Sequence, residues 1–201
     1  MMFIKVAVTI LSLLVFLFLF WKRLKEDYAA EIIFKAAMYI LGGIGISTAV
    51  ASKFFPAWFF WASFIGGLTG LSLAILRFRV KFYETLEAFI ISSLPWLGLV
   101  FLTDSAMRSS LSSFLAFAAI LIMVFVSYYL DTHYKRFTWY VSGKIGFAGL
   151  AVAAIFFFVR TAIAIVKVPM LSFVGRSEAV ISGVMVLVSF LLLVNLGRVK
   201  E

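Results

Sequence analysis

Seven long apolar blocks divide this chain, and they constrain its fold more than any other feature. They cover residues 3–20, 32–52, 57–76, 86–102, 111–130, 145–166 and 178–196. Each block approaches the ~20 residues that a helix needs to cross roughly 30 Å of hydrocarbon. The pattern predicts an all-α, polytopic membrane protein with seven transmembrane helices.

The composition excludes a water-soluble fold. Hydrophobic residues make up 65% of the chain and charged residues 13%. A soluble domain of 201 residues could not bury that much apolar surface. The connections between the blocks are short, and no internal repeat is present, so residues 1–201 are predicted to form a single integral-membrane helical domain.

Lysine and arginine are concentrated in alternate connections. One set of connections holds eleven of them: Lys22, Arg23, Lys25, Arg77, Arg79, Lys81, Lys135, Arg136, Lys144, Arg198 and Lys200. The other set holds four: Lys53, Arg108, Lys167 and Arg176. Because basic residues accumulate on the cytoplasmic side, the N-terminus is predicted to lie outside and the C-terminus in the cytoplasm. The net charge of +9 lies at span ends, where it suits anionic lipid headgroups, and no nucleic-acid partner is predicted.

Several kinds of chemistry lack the residues that they require. The chain has no cysteine and one histidine, His133, which the topology puts in a cytoplasmic connection. A serine such as Ser92 lies away from that side, so no serine-hydrolase triad is expected. The ligands for a metal site are also missing. We therefore predict no metal and no cofactor.

A set of motifs in the first half of the chain resembles a known enzyme family. The segment 61–70 reads WASFIGGLTG, the segment 42–45 before it reads GGIG, and the segment 82–95 after it reads FYETLEAFIISSLP. With Arg77 and Arg79 between them, their order and spacing resemble the bacterial prolipoprotein diacylglyceryl transferases. The resemblance covers most of residues 21–100, with weaker support from residues 111–166.

The resemblance implies a location and an activity. Members of that family have seven spans with the N-terminus outside and work in the bacterial cytoplasmic membrane. They transfer a diacylglyceryl group from phosphatidylglycerol to the lipobox cysteine of a lipoprotein precursor, without a metal. For this chain the resemblance implies phosphatidylglycerol or another anionic phospholipid as partner, together with a lipoprotein precursor.

The chain departs from the family at the positions that carry the chemistry. The family's His-Gly-Gly motif reads Ile65-Gly66-Gly67, and isoleucine cannot carry a proton. The family's Gly-Arg-x-Gly-Asn-Phe signature is replaced by LVFLTD at 99–104. The aspartate of the fourth-span motif corresponds to Glu87 or, shifted by one, to Ala88. No catalytic residue is therefore predicted.

One polar residue of the family's sixth span is retained. The family's Tyr-Gly-x-x-Arg pattern reads FFFVR at 156–160, and Ala164 stands where an acidic residue would follow. Arg160 lies ~9 Å and Ile65 ~12 Å from the outer ends of their spans. A charge at a helix centre costs ~2.5–3.5 kcal/mol, so Arg160 is predicted to face the bundle or to snorkel to the outer headgroups. Retained contact with a lipid phosphate is the alternative.

Small residues within the spans predict close helix contacts, because glycine lets backbones approach each other in lipid. A close contact is expected at Gly67 and Gly70. The lipid-binding residues that follow from the resemblance are Arg160, Gly66, Gly67 and Ser63.

Three functional hypotheses follow. The favoured one is a catalytically impaired relative of the diacylglyceryl transferases that binds phospholipid, since a fold can outlive its chemistry. The first alternative is an active, divergent lipid transferase, so enzymatic status stays open. The second is a small membrane transporter or scaffold, which is less favoured because a transport path needs several polar residues inside the spans.

Overall fold

The chain is a bundle of long helices. The computed structural model describes residues 2–137, 145–166, 173–175 and 177–198. Its long helices are α1 (Met2–Leu24), α2 (Ala30–Phe54), α3 (Phe59–Phe78), α4 (Phe82–Arg108), α5 (Leu111–His133), α6 (Phe147–Val166) and α7 (Ser177–Arg198). Short 3-10 turns precede α3 and follow α5, at Pro56–Trp58 and Tyr134–Arg136.

In the described part of the chain, seven helices are long and apolar enough to cross a membrane. Many of their large apolar side chains point away from the bundle, as Ile46, Leu76 and Phe125 do. Such a surface suits lipid and would be unfavourable in water. The predicted all-helical, polytopic membrane fold is confirmed.

Helices α2 and α3 form the tightest pair, and glycine makes their approach possible. A Cβ atom added to Gly43 would lie 2.2 Å from the carbonyl oxygen of Gly66, and one added to Gly70 would lie 2.3 Å from that of Tyr39. The close contact predicted at Gly70 is thus confirmed. On the second span the prediction is only partly right, because a Cβ atom at Gly42 or Gly45 would have nothing within 4 Å.

The remaining helices pack mainly in pairs. Helix α1 lies along α4, α4 along α5, and α6 along α7. Helix α6 also crosses α4, where Gly149 lies so close that an added Cβ atom would be 2.8 Å from the Cα atom of Glu87. Helices α3 and α4 follow each other in sequence but make little direct contact. Their separation leaves a cleft, which large side chains line.

Candidate functional site

A buried ion pair joins α6 to the start of α7. The guanidinium of Arg160 donates from Nε to Oε1 of Glu178. Arg160 is 5% exposed and Glu178 is fully buried. The prediction that Arg160 snorkels outward is therefore wrong, and the prediction that it faces the bundle is confirmed.

The carboxylate of Glu178 collects several more hydrogen bonds. Its Oε2 accepts from Nε1 of Trp61 at 3.0 Å and from the backbone N–H of Val174 at 3.2 Å. Its Oε1 also accepts from the hydroxyl of Ser182 at 2.9 Å. A buried carboxylate with this many donors is well satisfied. The cluster therefore ties α3, α6 and α7 together.

The guanidinium of Arg160 is also packed between aromatic rings. Its central carbon lies 3.8 Å from the ring centre of Phe60 and 4.6 Å from that of Phe173. Attraction between a cation and a ring face is strongest where water is excluded. The charge of Arg160 is thus offset by Glu178 and by these rings within the bundle.

An apolar cleft of about 80 Å³ lies between α3, α4 and α6, with α2 behind it. Among the described residues, its lining is this set: Ile44, Phe59, Phe60, Ser63, Phe64, Phe89, Ile90, Ser93, Leu94, Trp96, Leu97, Val100, Val152, Ala153, Phe156 and Phe157. Serine and tryptophan supply the polar side-chain atoms of this set. Both serine hydroxyls are already used, because Ser63 donates to the carbonyl of Phe59 and Ser93 to that of Phe89, each at 2.7 Å. The cleft therefore offers a ligand an almost entirely apolar wall.

A second, smaller cavity of about 40 Å³ lies between α4, α5 and α6. Arg160 lines this cavity, whereas the larger cleft does not include it. Phe156 lines both spaces and separates them.

The structure does not bring the predicted lipid-binding residues together. Ser63 lines the cleft and Arg160 lies in the smaller cavity. Gly66 lies at the α2 contact, and a Cβ atom on Gly67 would come within 2.7 Å of the ring of Phe89. These glycines are packing positions in the structure, and a lipid contact there stays a prediction. Ile65, which the resemblance aligns with the family's histidine, points outward and is 57% exposed.

A second, partly buried charge cluster was not predicted. It joins α1, α4 and α5 at the opposite end of the bundle from Glu178. Arg23 donates to both oxygens of Asp131, at 2.7 and 2.6 Å, and to Oε1 of Glu87 at 2.7 Å. The backbone N–H of Gly149 in α6 also points at Oε1 of Glu87, at 3.3 Å. One arginine thus faces two carboxylates, and four helices meet at this junction.

The negative charge of this junction contributes to a raised pKa at a neighbouring tyrosine. Tyr134 follows α5 directly, and its pKa is raised, first by burial and then by the carboxylates of Glu87 and Asp131, against the opposing effect of Arg23. The second oxygen of Glu87 is buried and has no hydrogen-bond partner in the described part of the chain.

Sequence reasoning missed both clusters for different reasons. Glu178 lies eighteen residues beyond Arg160, at the start of a span, whereas the family pattern predicts an acidic partner four residues after Arg160, where Ala164 stands. Asp131 was assigned to a connection, whereas it belongs to α5. A search for charges inside or next to spans, which must be paired in lipid, could have found Glu87 and Glu178.

The described residues hold no group of three or more acidic, histidine or cysteine side chains suited to a metal. His133 ends α5, and its Nδ1 lies 3.0 Å from the carbonyl oxygen of Tyr129 and 2.8 Å from Oγ1 of Thr132.

No family model matches the chain, and no curated protein or solved structure matches it.

Proposed function

We propose that this protein is a catalytically impaired relative of the bacterial prolipoprotein diacylglyceryl transferases that binds phospholipid. The observation that carries the proposal is the apolar cleft between α3, α4 and α6, which is lined by Ser63 from the segment that resembles the family. The proposal places a lipid acyl chain in this cleft.

The length of the cleft along α4 matches the depth of one leaflet. Along α4 its lining runs from Phe89 to Val100. The rise of ~1.5 Å per residue puts these two positions ~16 Å apart along the helix, about half of the roughly 30 Å hydrocarbon thickness. Because the serine hydroxyls of the wall are already hydrogen-bonded, a polar group of the ligand would be buried there without a partner, which is unfavourable. The cleft therefore favours an apolar ligand.

Impaired chemistry is proposed because one part of the family's site is replaced and another is already paired within the bundle. Ile65 cannot carry a proton, and its side chain points away from the cleft. Arg160, the retained arginine, is paired with Glu178, so a lipid phosphate would have to compete with a buried carboxylate for it. Phosphatidylglycerol or another anionic phospholipid stays the proposed ligand, and a lipoprotein precursor the proposed protein partner.

The proposal includes the bacterial cytoplasmic membrane and an orientation in it. The connections before α2, α4 and α6 and the end of α7 carry most of the basic residues. On this basis the N-terminus lies outside and the C-terminus in the cytoplasm.

The test compares two serines of α3. Both Ser63 and Ser72 donate to the carbonyl four residues earlier, but Ser63 lines the cleft and Ser72 is exposed on the lipid-facing surface. Ser63→Phe should fill the cleft and remove most of the phosphatidylglycerol that native mass spectrometry finds on the purified protein. Ser72→Phe should retain as much lipid as the unmodified protein.

Two results would contradict the proposal. Equal lipid retention by both variants, with unchanged melting profiles, would remove the cleft as the binding site. Transfer of a diacylglyceryl group from phosphatidylglycerol to a lipobox peptide by the unmodified protein would show an active transferase instead.

A further inference from the structure

The junction of Arg23, Glu87 and Asp131 is unbalanced in charge. Its side chains carry one positive and two negative charges if all are ionised. The exposed fractions of the side chains are 21% for Arg23, 33% for Asp131 and 1% for Glu87. Of the three, Glu87 is the group from which water is excluded, and an uncompensated charge on its carboxylate is therefore strongly unfavourable.

Hydrogen bonding divides the two carboxylates unequally. Asp131 uses both of its oxygens to accept from Arg23, in the paired geometry that guanidinium favours. Glu87 receives its donors from Arg23 and Gly149 on Oε1 alone. Its Oε2 is buried without a partner in the described residues. Asp131 is thus the better partner of Arg23, and Glu87 is the carboxylate left without full compensation.

We propose that Glu87 binds a proton on Oε2 at neutral pH, and that this proton completes the junction of α1, α4, α5 and α6. The proton converts the cluster into a neutral assembly, in which the Arg23 and Asp131 charges cancel. A neutral carboxyl with an unpaired O–H is much less unfavourable in a buried site than an unpaired ionised oxygen.

The groups around Glu87 support this assignment. Arg23 comes from α1, Asp131 from α5, and the N–H of Gly149 from α6. Tyr134, next to the cluster, is neutral at pH 7, because its pKa is raised from an ordinary value near 10. None of these groups adds a second positive charge to the junction.

Glu84, one turn earlier on α4, is paired elsewhere. It accepts from Lys81 at 2.8 Å and from the hydroxyl of Tyr28 at 2.7 Å. Its negative charge is therefore balanced by Lys81, and Glu84 does not compete with Glu87 for Arg23.

Loss of the proton has a mechanical consequence at the α4–α6 contact. Gly149 lies against the backbone and side chain of Glu87, with no room for a Cβ atom. An ionised, uncompensated Oε2 at this point needs water, and admitting water beside Glu87 would loosen the tight contact between α4 and α6. The proton on Glu87 thus makes the closeness of these two helices sensitive to pH.

Infrared spectroscopy tests the proton directly, because a protonated carboxyl has a C=O stretch distinct from that of a carboxylate. The purified, full-length protein in detergent at pH 7 should show this band. Glu87→Gln should remove it. Glu31→Gln should keep it, because Glu31 is an exposed partner of Lys35 and serves as the matched control.

A second variant keeps the test decisive if Glu87→Gln does not fold. Asp131→Asn leaves Glu87 as the carboxylate available to Arg23, so the cluster becomes neutral with Glu87 ionised. The band should then disappear although Glu87 is present. Persistence of the band in Asp131→Asn would overturn the proposal.

Reversible unfolding supplies an independent readout. Glu87 is ionised in the unfolded chain above its ordinary pKa near 4.3, so unfolding releases the proton. The unfolding equilibrium constant should therefore rise by up to about tenfold per pH unit as the pH approaches neutrality, beyond the slope of Glu87→Gln. Absence of the band at pH 7, its retention in Glu87→Gln, or equal slopes for both proteins would overturn the proposal.

Discussion

The α2–α3 contact allows the sharpest test of how this bundle is held together. In Gly70→Ala the new Cβ atom would lie 2.3 Å from the carbonyl oxygen of Tyr39 and 2.7 Å from the Cα atom of Ile40. Both are backbone atoms of α2, which cannot rotate away. Ordinary contacts begin near 3.4 Å, so the two helices must separate by about 1 Å at this point.

The magnitude follows from two opposing effects. Overpacking of a tight contact costs about 1–3 kcal/mol. Replacing glycine by alanine inside a helix gains about 1 kcal/mol in helix propensity. Gly42→Ala is the matched control, because it brings the same gain on α2 and its Cβ atom has nothing within 4 Å. The difference in unfolding free energy between the two variants therefore isolates the overpacking effect, at about 1–3 kcal/mol.

The assay is reversible unfolding in mixed micelles, followed by tryptophan fluorescence. Gly70→Ala should unfold at lower denaturant than Gly42→Ala, and Gly42→Ala should be as stable as the unmodified protein or more stable. Gly67→Ala should lie between them, because its Cβ atom meets the end of the Phe89 ring, which can move. Equal stability of the Gly70 and Gly42 variants would refute the close backbone contact.

Two further predictions concern the Arg160 pair and the orientation of the chain. Arg160→Met should lower the unfolding free energy by about 3–5 kcal/mol, because it leaves Glu178 charged and buried. The double variant Arg160→Met with Glu178→Leu should lose less unfolding free energy than this single variant. A larger loss in the double variant, measured by the same unfolding assay, would contradict the pairing. Reporter fusions after residues 25, 80, 140 and 200 should all lie in the cytoplasm, and a reproducible outside signal from any of them would reject the proposed orientation.

The amino-acid sequence alone was sufficient to predict the class of fold. A helix in lipid must satisfy its own backbone hydrogen bonds, so the length and polarity of each apolar block predict a span without knowledge of its neighbours. The seven helices agree with the seven blocks to within a few residues at each end, apart from α4, which extends six residues past its predicted end to Arg108. The glycine contact at Gly70 was predictable for a similar local reason, because close approach of helices requires small residues.

The partners of the buried charges were decided by the tertiary structure. Arg23 and Asp131 are 108 positions apart in the chain, and Arg160 and Glu178 lie on different helices. Sequence spacing carries no information about which helices become neighbours, so the sequence placed Arg23 among the basic residues at span ends and left Arg160 without a protein partner. In the folded bundle Arg160 is buried and the side chain of Arg23 is only 21% exposed, and a nearby carboxylate compensates each charge better than a distant phosphate.

For Ile65, too, the sequence determined one property and the tertiary structure another. Its identity, read from the sequence, excludes proton transfer at the family's histidine position. The direction of its side chain could not be predicted from the sequence, because α3 has glycines on two sides. Either side could pack against a neighbour, and the rotation of α3 is fixed only by its contacts with α2 and α4. Gly66 and Gly70 face α2, and Gly67 faces Phe89 of α4, so the side chain of Ile65 is left pointing toward lipid. The cleft therefore depends on how the helices pack, and the residues that line it follow from that packing.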